Sequence, residues 1–99
     1  MKKLLLAVIV SLSTVTTAAL AEIKVGIILG FTGPIESLTP AMRDGAKMAF
    51  EEASNSGYLL GGETITVLEG DSTCADSAAG TAAAEDLVAQ GVSAIMGAD

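Results

Sequence analysis

The stretch Ile23-Lys24-Val25-Gly26-Ile27-Ile28-Leu29, followed at once by Gly30-Phe31-Thr32-Gly33-Pro34, decides how this chain is read. A β-branched, almost uninterrupted apolar run suits a strand buried on both faces, as in a parallel sheet. Two glycines and a proline directly behind it mark a loop. The next segment, Pro40 to Asn55, has helical spacing. Met42, Ala46, Ala49, Phe50 and Ala53 fall on one face, and Arg43, Asp44, Lys47, Glu51 and Glu52 mostly fall elsewhere. Thr39 is expected as its N-cap, with Pro40 as the first helical residue, where a missing N–H leaves nothing unpaired. Gly57 is the expected stop. Gly45, in mid-helix, suggests a close approach of helix to sheet.

Further along, Gly61-Gly62 makes a turn and Thr64-Ile65-Thr66-Val67-Leu68-Glu69 reads as a second strand. After the loop Gly70-Asp71-Ser72-Thr73-Cys74, Asp76 can cap an alanine-rich helix running to about Gln90, with Leu87 and Val88 as its larger anchors. Gly91 ends that helix, and Val92 to Met96 is a third short strand. Strands alternating with helices of this length predict an α/β fold with a parallel sheet and right-handed crossovers. The sheet edges and one face of such a β-α-β-α-β unit would stay uncovered, so residues 22–99 are expected to be an incomplete, N-terminal part of a larger domain.

Working back toward the N-terminus, Lys2 and Lys3 precede the apolar run Leu4-Leu5-Leu6-Ala7-Val8-Ile9-Val10, which Ser11, Ser13, Thr14, Thr16 and Thr17 then dilute. A membrane span needs about 20 predominantly apolar residues. Ala19-Leu20-Ala21 gives the small-x-small pattern of a cleavage site just before Glu22, so residues 1–21 read as a cleaved signal peptide. An uncleaved N-terminal anchor is the alternative.

The 99 residues carry 5 Lys+Arg against 12 Asp+Glu, a formal charge of −7, and no His. Without the leader only Lys24, Arg43 and Lys47 remain as cations, giving a formal −9. That acidity argues against nucleic acid as a partner, because phosphates need a basic patch. Imidazole catalysis is excluded, and no metal or cofactor is called for. A dinucleotide site fits poorly. Gly30-x-x-Gly33-Pro34 is not G-x-G-x-x-G, and a ribose-binding acid is expected about 20 residues on, whereas Glu69 and Asp71 come 39 and 41 residues after Gly30. An exported enzyme would have to build on Glu69, Asp71 and Asp76 as a carboxylate cluster, and no mechanism can be written for it.

The order of these features carries a resemblance. Lys24-Val25-Gly26-Ile27 and Phe31-Thr32-Gly33-Pro34 are followed by Arg43-Asp44-Gly45-Ala46-Lys47-Met48-Ala49 with Glu51-Glu52. Then come Glu69-Gly70-Asp71, Cys74, Ala82-Ala83-Ala84-Glu85-Asp86-Leu87-Val88 and Gly91-Val92-Ser93-Ala94-Ile95-Met96-Gly97. The series resembles the start of the substrate-binding proteins of branched-chain amino acid ABC transporters, the leucine-binding or type I periplasmic binding-protein family. It spans residues 22–99, roughly the first half of that family's N-terminal lobe.

The resemblance implies a parallel, three-layer Rossmann-like lobe, a second lobe joined by a hinge, and closure of the two on a small solute. Its expected ligands are branched-chain or other aliphatic amino acids or amides, its partner an ABC permease in the inner membrane, and its location the periplasm. It implies no reaction, metal or cofactor. The same fold also serves as the sensing domain of receptors and amide-responsive regulators. The loops 30–39, 70–75 and 97–99 lie on the carboxyl edge of the strands, where ligands bind in open α/β sheets. The resemblance sets Leu38 against the ligand, at a position that carries an aromatic in leucine-binding members; here the wall stays apolar without the ring. Asp99, just beyond the third strand, could pair with a ligand ammonium. Glu36 and Ser37 are candidates to face the cleft; a solvated loop is the plain alternative for all three polar residues. For Cys74 the resemblance implies a disulfide with a cysteine beyond residue 99. A free buried thiol is the other reading.

Overall fold

A computed structural model describes residues 22–97 of the chain. The order is β1 (Ile23–Leu29), α1 (Thr39–Asn55), a 3-10 turn (Leu59–Gly61), β2 (Ile65–Asp71), α2 (Ser77–Ala89) and β3 (Ala94–Met96). The sheet is parallel with strand order β2-β1-β3, so the first strand is central. Ile23 stands beside Ile65 and Leu29 beside Asp71, while Val25 to Ile27 stand beside Ala94 to Met96. Both edges of β1 are therefore paired. Val25, Ile27, Ile28 and Leu29 form most of the buried core, as the unbroken apolar run requires.

Alternation along the strands puts the two helices on opposite faces of the sheet. On one face α2 lies close enough to touch backbone. A Cβ at Gly26 would stand 2.7 Å from Leu87 Cδ1, and one at Gly70 would stand 3.1 Å from Ala83 Cβ. The glycines and the alanines of α2 thus let helix and sheet approach, with Leu87 sealed between them at 0% exposure. On the other face, Arg43 and Lys47 of α1 reach Glu69 of β2 at 3.4 and 3.5 Å. This is the α/β layering that the sequence predicts.

Several local expectations are confirmed. Asp76 is the N-cap of α2, accepting from the Ala78 N–H at 2.9 Å. Gly57, Gly61, Gly62 and Gly91 all have positive φ and end or turn the chain where expected. Lys24, at the other end of α2, donates Nζ to the Gln90 carbonyl at 3.1 Å, placing a cation on the helix C-terminus.

Others are corrected. The cap of α1 is Leu38, not Thr39, because the buried Thr39 hydroxyl donates to Gly30 O (3.1 Å) and Glu36 O (3.4 Å) instead of accepting from the helix. Val88 is not an anchor: α2 has alanine nearly all round, and the one face that meets the sheet is the Leu87 face, leaving Val88 64% exposed. Ala46, Phe50 and Ala53 are half-buried, whereas Met42 and Ala49 of the same nominal stripe stay exposed because α1 covers only the β1–β2 side. β2 runs on to Asp71, and β3 begins at Ala94.

Gly45 is also corrected. Nothing lies within 4 Å of where its Cβ would stand, so it answers no close approach to the sheet. Gly45→Ala should therefore stabilise the protein by up to ~1 kcal/mol, the ordinary helix-propensity gain. An upward shift in the urea midpoint with unchanged slope would show it.

Candidate functional site

All three strands leave the sheet at the same edge, through Gly30, Ser72 and Gly97. The loop after β1 (residues 30–38) and the loop after β2 (residues 72–76) are interlocked there. The first loop folds on short-range turns, Glu36 N–H to Gly33 O (3.4 Å) and Leu38 N–H to Ile35 O (2.9 Å). Thr39 ties its far end down to Gly30 O. Ser72, also buried, sends its N–H to Leu29 O at 3.0 Å, so the second loop starts against the end of β1.

Asp71 joins the two loops. Its Oδ2 accepts from Thr32 Oγ1 at 2.6 Å. Its Oδ1 accepts from the N–H groups of Thr32 (3.3 Å) and Thr73 (2.8 Å). These donors, the Thr32 hydroxyl first and the Thr73 amide next, hold the Asp71 carboxyl below its ordinary value of 3.8. The sign of the linkage follows: the contribution is complete above the ordinary value and is lost as pH falls through the lowered one. At neutral pH the latch is fully charged.

The backbone accommodates this junction at some strain. Thr73 and Cys74 both have positive φ, 60° and 56°, which non-glycine residues seldom adopt. Gly33, at φ +100°, leaves no Cβ where the Thr73 carbonyl oxygen sits. Gly30 does the same for Cys74, whose Cβ would stand 2.8 Å from a Cβ there. Thr73 Oγ1 is enclosed without a hydrogen-bond partner.

Glu36, Ser37 and Leu38 stand together on the exposed crest of the first loop, Leu38 at 61% exposure. Cys74 is half-buried in the second loop, against Gly30 at the base of the first, as a free thiol. Asp99 and the leader, residues 1–21, lie outside the described residues. The carboxylates of the enzyme alternative do not act together. Asp76 caps α2, Glu69 pairs with Arg43 and Lys47, and Asp71 holds Thr32 and Thr73. Arg43 also stands over the Phe31 ring, 5.9 Å from its centroid, fixing the start of the first loop against α1. Composition and periodicity do not single out this latch. Its only local signal is an acid at a strand end with threonine and glycine in the preceding loop.

Residues 22–99 match the family model described as periplasmic binding protein. The chain belongs to the periplasmic binding protein family. The Leu/Ile/Val-binding protein BraC3 of Rhizobium johnstonii is 28% identical to it over 95 residues, which cover 96% of this chain and 25% of that protein. The chain thus spans about a quarter of the length of the curated relative it matches. The parallel β-α-β-α-β unit seen here is consistent with part of a lobe of that family, and the interlocked loops stand on its carboxyl edge.

Proposed function

We propose that the protein is the periplasmic solute-binding component of an ABC importer, taking a branched-chain or other aliphatic amino acid or amide between two closing lobes. In this reading residues 1–21 are a cleaved signal peptide and residues 22–99 belong to the N-terminal lobe. The family match over residues 22–99 carries the proposal, and the Leu/Ile/Val-binding relative supports an aliphatic amino acid as ligand. The carboxyl-edge location of Glu36, Ser37 and Leu38 agrees with it, since open α/β sheets bind ligands there. Asp99 would extend the same surface, as an acid for the solute ammonium. Cys74 would form its disulfide with a cysteine beyond residue 99, in a compartment that keeps such bonds oxidised. The partner that receives the loaded protein would be a membrane permease.

Calorimetric titration of the full-length gene product, unfolded and refolded to strip any bound solute, tests this reading. Saturable heat is expected with L-leucine, L-isoleucine, L-valine or a short aliphatic amide. No heat with any of them would overturn it.

A further inference from the structure

We propose that Asp71 is a positioning residue for solute binding: by fastening the first loop to the second, it sets where Glu36, Ser37 and Leu38 stand. This rests on the solute-binding reading above. Asp71 closes β2 directly beside Leu29, the last residue of the central strand, so its carboxylate leaves the sheet where the first loop begins. Both its oxygens are used, one on the Thr32 hydroxyl and one on two backbone amides from different loops. A charged acceptor makes these the strong kind of hydrogen bond.

Gly33 lies against the Thr73 carbonyl just beyond, a second contact between the same two loops. At its far end the first loop is held by Thr39 on Gly30 O. Between these two fastenings the crest, residues 36–38, is held by its own turn hydrogen bonds and by the long one from the Thr39 hydroxyl to Glu36 O. Releasing Asp71 therefore frees the entering half of the loop, and the solute must then order it on binding, which weakens affinity. Asp71 makes its hydrogen bonds to Thr32 and Thr73 and not to the three crest residues, so it acts on the solute only through the loop.

The test uses the full-length gene product and L-leucine, L-isoleucine and L-valine as probes. Thr32→Val and Asp71→Asn should each weaken binding about tenfold, the loss of one strong charge-assisted hydrogen bond. The double variant should be no weaker than the weaker single one, because both break one latch. Thr32→Ser, which restores the hydroxyl, should recover the affinity that Thr32→Val loses. Melting temperatures lowered by Asp71→Asn with affinity unchanged would overturn the proposal, as would two additive losses.

Wild-type protein that gives no heat with any probe would sink the functional reading, and amide exchange at Thr32 and Thr73 then decides the latch itself. Faster exchange at both amides in Asp71→Asn supports the fastening; unchanged exchange refutes it.

Discussion

Leu87→Ala should destabilise the protein by about 2–5 kcal/mol, the range for emptying a buried leucine site. The upper part of that range is expected here. Leu87 is fully buried, and the sheet beneath it presents Gly26 and Gly70, which have no side chains to move into the void. Ile95, 3.4 Å from a Cβ placed at Gly26, and Ala83 and Ile28, 3.1 and 3.5 Å from one placed at Gly70, line the same space. The stiff β-branched side chains of Ile28 and Ile95 can fill little of the gap, so closing it requires α2 to settle toward β1 and β2. Urea denaturation should show a large drop in midpoint with little change in slope. Val88→Ala is the internal control. Val88, next to Leu87 on the same helix, is 64% exposed, and its truncation should shift stability by no more than about 0.5 kcal/mol. Equal losses at the two positions would mean that α2 packs through a different face.

Gly33→Ala should disable the site and strain the fold at once. A Cβ at this position meets the Thr73 carbonyl oxygen, which is backbone and has no rotamer to retreat into. The φ of +100° lies outside the range of L side chains and adds roughly 1–3 kcal/mol of strain. The first loop must then lift off the second, pulling Thr32 from Asp71. Affinity for L-leucine, measured calorimetrically on the full-length product, should fall more than the single-hydrogen-bond variants do. Gly57→Ala makes the contrast. It also has a positive φ, 74°, but open space around it, and it lies at the far end of α1 from the carboxyl edge. It should lower stability and leave L-leucine binding alone. An unaffected affinity in Gly33→Ala would remove the first loop from the binding surface.

How far the sequence discloses the structure depends on the range of the interaction concerned. β1 has the bounds read from its apolar run, since a strand buried on both faces needs nothing but apolar side chains to declare itself. Asp76 and the turn glycines are equally legible, because capping and left-handed backbone are settled within a few residues. Legibility fails where the partner is far along the chain. Leu87 and Val88 look alike in a helix whose remaining faces are mostly alanine, and only the position of Gly26 and Gly70 tells them apart. Thr39 looks like a cap until its hydroxyl is seen to be spent on Gly30. Asp71 and Thr32 lie 39 residues apart and carry no shared local pattern. The same holds for the crest: Leu38 is singled out by resemblance and Glu36 and Ser37 by their place in the first loop, and their common exposure emerges only with the loop folded.

The central place of β1 has a consequence for the order in which the molecule assembles. Of the three described strands, the one that emerges first from the ribosome finishes in the middle, so Ile23 waits for Ile65 and Val25 waits for Ala94. Helices can form as they appear, yet among the described residues every strand pairing is parallel and no hairpin exists to start the sheet. Each pairing closes a long loop before it returns any contact, which makes for slow collapse. If residues 1–21 direct export, that sluggishness is an asset. The chain stays threadable through a secretory channel until Ile95 arrives to close the second edge, and the sheet then forms on the far side of the membrane.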